Sequence, residues 1–133
     1  MSDSNKPEDS VQANPYARYA KQAQTGISQR EKEGQLLVKS AQAFQGLLDN
    51  WNQAKYEDIE TAISYNRSLW TLFFERAEAD AEQTALSKTI ISLGHFVFQR
   101  SAQILAEKDH AQRKPMFEAL INVNKQIASG LFK

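Results

Sequence analysis

Residues 58–74, DIETAISYNRSLWTLFF, decide the fold. Ile59, Ile63, Asn66, Trp70 and Phe73 step by four and three, which is the repeat of one face of an α-helix. Leu69, Leu72 and Phe74 thicken that arc until it covers more than one face. Asp58 reads as the N-cap, and Glu57, Asp58 and Glu60 set negative charge at the positive end of the helix dipole. Asn66 interrupts the apolar stripe. A buried amide persists when it is hydrogen-bonded, and one such group can fix helix register.

The same period recurs on both sides. Upstream, Ser28-Gln29-Arg30-Glu31 has the spacing of a capping box. Behind it Leu37, Ala41, Phe44, Leu48 and Trp51 form a stripe, which Leu36, Ala43 and Leu47 widen; this predicts a helix of about six turns. Gly34 and Gly46 are weak helix formers, explained if a neighbouring helix crosses close to one of them. Downstream, 78–84 (EADAEQT) reads as a loop or a frayed end. Thr84 then caps a third helix with Leu86, Ile90, Leu93, Val97 and Ile104 on its face. Its centre, 90–98, is apolar almost all round, as in a helix that is central or offers a second face; TIISLGHFVF (89–98) is the only β-like run, and it sits inside the helical period. Ser92 and Gly94 are small enough to admit a close neighbour. Residues 107–114 form a charged break. Pro115 suits the first turn of a last helix with Phe117, Leu120, Ile121, Asn124 and Ile127 inward, and Gly130 suits the position just past its end. No stretch alternates convincingly as a strand.

The N-terminal end differs. Residues 1–15, MSDSNKPEDSVQANP, hold too little apolar surface to offset their ordering entropy and are expected to be disordered. Residues 16–24 predict a short helix that starts after Pro15 and ends near Gly26. The expectation is therefore all-α: an antiparallel bundle of three to four long helices over a single domain, 16–133, with a short N-terminal helix and a 1–15 tail.

Composition narrows the function. The 133 residues contain no Cys, which excludes disulfides, thiolate metal sites and thiol nucleophiles. Lys+Arg and Asp+Glu are both 16, so the chain is formally neutral. Its basic residues are interleaved with acids, unlike the single-sign stripe that nucleic acid requires. No apolar run is long enough for a transmembrane helix, and the N-terminus lacks the apolar core of a signal peptide, so a cytoplasmic protein is expected. No phosphate loop, dinucleotide fingerprint, zinc-protease motif or EF-hand is present. His95 reads as a packed or edge histidine, His110 as a solvated loop residue, and Arg113-Lys114 as solvated charge. No catalytic residue, metal, cofactor or small-molecule substrate is expected.

What remains is an aromatic concentration in the middle of the chain. Interfaces enrich Trp, Tyr, Phe and Arg at their centres. The candidate partner-binding set is Asn66, Arg67, Leu69, Trp70, Phe73, Phe74, Ser92, Phe96 and Phe98. In this reading Trp70, Phe73 or Phe74, with Phe96 or Phe98, line a groove, and Asn66 and Arg67 supply polar register.

The segments AISYNRSLWTLFF (62–74) and IISLGHFVFQRS (90–101) resemble the two best-recognised blocks of the FlaF family of bacterial flagellar biosynthesis regulators. Asn66, Leu69 and Trp70 match the first block, and Ile91, Ser92 and Leu93 the second. The opening from Tyr16 to Gln24 and the stretch 28–31 are similar to the family's N-terminal pattern. The resemblance implies a small helical cytoplasmic protein needed for flagellin production and filament assembly. It implies flagellin as a direct partner, held by a secretion chaperone, and action in concert with FlbT. An adaptor role, or control of flagellin message with FlbT, is the alternative.

Overall fold

The computed structural model describes residues 28–131. The expected tail (1–15), the short helix (16–24) and the boundary between them lie outside the described residues. Five α-helices follow in order: α1 Gln29–Asp49, α2 Tyr56–Ala79, α3 Ala85–Ala106, α4 His110–Arg113 and α5 Phe117–Leu131. Single 3-10 turns stand at Trp51–Gln53 and Lys114–Met116, and no strand occurs among the described residues. The fold is all-α, as expected.

The chain divides into two units, Met1–Lys32 and Glu33–Lys133. In the first, the expected capping box is made. Glu31 N–H donates to Ser28 Oγ at 3.1 Å, and Ser28 N–H donates to Glu31 Oε1 at 3.1 Å. The second unit holds the core. Leu37 and Phe44 of α1, Ile59, Ile63 and Trp70 of α2, Val97 and Ile104 of α3, and Phe117 and Leu120 of α5 are fully enclosed. Helices α1 and α2 run antiparallel: Glu33 pairs with Arg76, and Ser40 with Asn66. Helices α2 and α3 do the same, since Tyr56 reaches Leu105 at one end and Phe74 meets His95 at the other.

Several local expectations are corrected. Helix α2 begins at Tyr56, ahead of Asp58. Asp58 sits inside the first turn, where its carboxylate accepts the Lys55 N–H at 3.0 Å. It serves the helix start from the third helical position, by satisfying the N–H of the capping residue itself. Helix α2 runs on to Ala79, and the loop after it is tied by Asp80. Its carboxylate accepts from Ser87 Oγ at 2.6 Å, from Thr84 N–H at 3.2 Å and from Glu82 N–H at 3.1 Å. The Ser87 hydroxyl, then these backbone donors, hold the Asp80 carboxyl below its ordinary range. Thr84 caps α3 as expected, accepting from Ser87 N–H.

The charged break is short. Only 107–109 are irregular, and α4 with its following 3-10 turn occupies the rest. Pro115 falls in that 3-10 turn and not in α5. Gly130 stays helical because α5 continues through the buried Leu131. Among the described residues no atom lies within 4 Å of where a Gly46 side chain would begin, so no described helix crosses there. A close approach does occur at Gly94, as its small size allowed: an added Cβ would lie 2.5 Å from Phe74 Cδ1.

His110 and Arg113 are not solvated. His110 stacks on Trp51 with ring centroids 4.3 Å apart, and its Nε2 lies 2.8 Å from the Trp51 carbonyl oxygen. In return, Trp51 Nε1 donates to the His110 carbonyl at 3.0 Å. Arg113 is buried, donating to the Ile104 carbonyl at 2.9 Å and to that of Glu107, with its guanidinium over the Tyr56 ring. The carbonyls left open at the end of α3 are thereby satisfied by a cation, which suits the negative end of a helix dipole.

Candidate partner-binding faces

The nine candidate residues do not form one groove. Helical geometry distributes those on α2 in three directions. Asn66, Trp70 and Phe73 point inward. Leu69 lies on the flank toward α1, and Arg67 and Phe74 on the flank toward α3.

The inward group belongs to the core, which corrects its assignment to a groove. Trp70 and Asn66 are both 0% exposed, and Phe73 is buried. Their polar atoms join three helices. Trp70 Nε1 donates to Asn124 Oδ1 at 2.8 Å. Asn124 Nδ2 donates to Asn66 Oδ1 at 2.7 Å and to the Leu37 carbonyl at 3.2 Å. Ser40 Oγ also donates to Asn66 Oδ1, at 2.9 Å. An indole N–H can only donate, so it fixes which way the Asn124 amide faces. That amide then turns the Asn66 oxygen toward itself, and Asn66 Nδ2 is left buried with no partner. The register role expected of Asn66 is thus exercised inside the bundle. Ser40, its partner on α1, carries no sequence signal beyond a hydroxyl near an apolar stripe.

On the α3 side, Phe74 meets Phe98 and His95 edge-on, with centroids 5.6 and 5.0 Å away. His95 is exposed, an edge residue as expected. Phe96 is separated from this group. It lies on the other side of α3 under Arg100, whose guanidinium is 5.1 Å from the ring and bonds the Met116 carbonyl. Ser92 is exposed and joins none of these contacts.

The α1–α2 seam holds the apolar surface that the candidate set missed, apart from Leu69. Lys39, Ala43 and Leu47 of α1 face Asp58, Thr61, Ala62 and Tyr65 of α2 across a shallow groove. Leu36, Tyr65 and Leu72 are 39, 42 and 49% exposed, and all lie on this flank. Tyr56, also exposed, differs because its hydroxyl donates to the Leu105 carbonyl at 3.1 Å. The signal for the seam was in the sequence: Leu36, Ala43 and Leu47 recur on a second face of α1, as Ala62, Tyr65, Leu69 and Leu72 do on α2. Arg76 and Glu33 form an ion pair near its Leu36–Leu72 end.

This surface suits a helix lying in a groove, where apolar anchors one turn apart are read. Among the described residues no cluster of three or more His, Asp or Glu is placed to hold a metal, and no helix is long and apolar enough to cross a membrane. The model of a family described as "flagellar protein FlaF" matches residues 15–131. No curated protein and no solved structure matches the chain.

Proposed function

The chain belongs to the FlaF family of flagellar proteins, and from that premise we propose that it is a non-enzymatic flagellum-assembly factor that holds an amphipathic helix of flagellin along the α1–α2 seam. The observation that carries the reading is the exposure of Leu36, Tyr65 and Leu72 on one flank, beside a groove floored by Ala43, Leu47 and Ala62. Three large, partly exposed apolar side chains on one seam mark it as an interaction surface. An amphipathic helix supplies one, with anchors at i, i+3 or i+4, and i+7. Lys39 and Asp58 at the groove edge offer one charge of each sign to orient it. Holding such a helix would keep it from assembling early, which is the chaperone role the family resemblance implies.

The test is calorimetric titration of the purified chain with monomeric flagellin, intact or truncated at either terminus. Binding should be lost with one terminus and should change little with salt. Leu72→Glu should weaken it more than about tenfold, as expected for a central apolar anchor, while leaving the unfolding midpoint in place. The proposal fails if neither intact nor truncated flagellin binds, which would move attention to FlbT or to message RNA. It also fails if Leu72→Glu and Tyr65→Glu bind like the parent.

A further inference from the structure

The opposite flank of α2 carries a different pattern. Arg76 pairs with Glu33, Arg100 bonds the Met116 carbonyl, Arg113 bonds two carbonyls, and Arg30 also has a partner. Among the described arginines, Arg67 alone has none. It is half-buried on the outer side of α2, beside the exposed Ser64, Ser68 and Thr71. Ser68 and Thr71 donate to the carbonyls one turn back, at 3.0 and 2.8 Å, so their hydroxyl hydrogens are already used. The neighbours of Arg67 one turn away are Ile63, Ser64, Trp70 and Thr71, none of them acidic. Farther along the same exposed side stand Glu75 and Glu78, neither of which makes an ion pair.

We propose that this flank is a self-association surface, on which α2 packs antiparallel against α2 of a second copy about a two-fold axis near Thr71. Arg67 lies four residues before Thr71 and Glu75 four after, each about 6 Å along the axis. Turned end for end, Arg67 of one copy comes level with Phe74, Glu75 and Glu78 of the other. The guanidinium then gains a carboxylate and an aromatic face together. The symmetry makes every such contact twice. Ser64, Ser68 and Thr71 at the centre are small enough for the helices to approach closely.

A second copy is the occupant because the charges about Thr71 complement themselves, with Arg67 one turn to one side and Glu75 and Glu78 one and two turns to the other, while Glu60 stands two turns beyond Arg67, outside the paired stretch. A nucleic acid or another polyanion drawn to Arg67 would be repelled by Glu75 and Glu78. The inference is independent of the seam reading, since the seam lies on the other side of α2.

Sedimentation equilibrium of the full chain tests it, at low salt and over concentrations spanning about 1 to 500 µM, the range of weak homodimers. A monomer–dimer equilibrium is expected. Arg67→Glu should raise the dissociation constant at least about tenfold by setting like charges against each other. Glu75→Arg with Glu78→Arg should do the same, and all three changes together should restore association to within about threefold of the parent. Glu75 and Glu78 are exposed and Arg67 is half-buried, and circular dichroism checks that each variant folds. A parent chain that stays monomeric throughout overturns the proposal. So does a dimer indifferent to Arg67→Glu, or a triple variant that fails to recover. Leu72→Glu should leave the dimer intact while weakening flagellin binding more than about tenfold, so the two proposals fail separately.

Discussion

Replacing Asn66 and Asn124 by leucine, one at a time, should give very different results although both amides are fully buried in one network. Asn124→Leu removes the acceptor of the Trp70 indole N–H. Trp70 is 0% exposed, so no water can substitute. An orphaned buried donor costs about 1–3 kcal/mol. The hydrogen bond from Asn124 to Asn66 is lost as well, and the expected total is about 2–4 kcal/mol. Asn66→Leu removes an amide whose Nδ2 is already unpaired. Asn124 keeps its bonds to Trp70 and to the Leu37 carbonyl, and the Ser40 hydroxyl can turn to the carbonyl one turn back in α1. One desolvation penalty disappears as one or two bonds are lost, so the net change should stay within about 1 kcal/mol of zero. Urea unfolding followed by circular dichroism and by tryptophan fluorescence measures both. A common slope with shifted midpoints would show that the folded states are comparable. Equal destabilisation by the two changes would refute the directional network, because it would mean that Asn66 is satisfied as fully as Asn124.

Three further outcomes follow from the packing. Gly94→Ala places a methyl against the Phe74 ring and should cost about 1–3 kcal/mol, as overpacking does; Phe74→Leu in the same chain should recover most of it in the same denaturation assay. His110→Ala removes the stack on Trp51 and should cost about 1–2 kcal/mol, with the emission of Trp51 shifted to the red. The Asp80 carboxyl is held below its ordinary range by Ser87 and by the backbone N–H groups of Thr84 and Glu82. Its contribution to stability is therefore complete above the ordinary carboxylate pKa and fades as pH falls through the lower folded value. Asp80→Asn should lower the thermal midpoint at neutral pH, with the gap to the parent closing in acid; a gap constant from pH 7 to pH 2 would rule out the ionised cap.

Much of the fold is legible in the sequence because helix signals are local. The four-three stepping of α2, the capping box at Ser28 and the cap at Thr84 each depend on residues within one or two turns. The misread places depend on partners distant in sequence. His110 looks solvated among charges until Trp51, 59 residues away, is packed against it. Arg113 looks like loop charge until it is seen to bond the open carbonyls at the end of α3. Gly46 and Gly94 are indistinguishable by propensity, and only the position of Phe74 separates them. The candidate site fails as one groove for a geometric reason. Aromatic side chains adjacent in sequence do not share a face, because successive residues on a helix point about 100° apart.

That angular spread gives α2 its character. Its apolar excess serves no single groove, because Trp70 and Phe73 are spent on the core while Leu69 and Leu72 lie toward α1 and Phe74 toward α3. The inward third is locked by the amide network, which sets the rotation of the helix about its own axis. A rotation of one residue would carry Asn66 out of reach of Asn124 and Ser40, and would turn Leu72 and Arg67 away from their flanks together. The network and the two outer faces are therefore coupled through one rigid element, without any contact between the faces. A change that loosens the network, such as Asn124→Leu, should blur both surfaces at once. A change on either surface should leave the other and the core undisturbed. Measuring flagellin binding and self-association side by side on Asn124→Leu, Leu72→Glu and Arg67→Glu distinguishes this arrangement from one in which a single face does both jobs, since only then would Leu72→Glu and Arg67→Glu fail in the same assay.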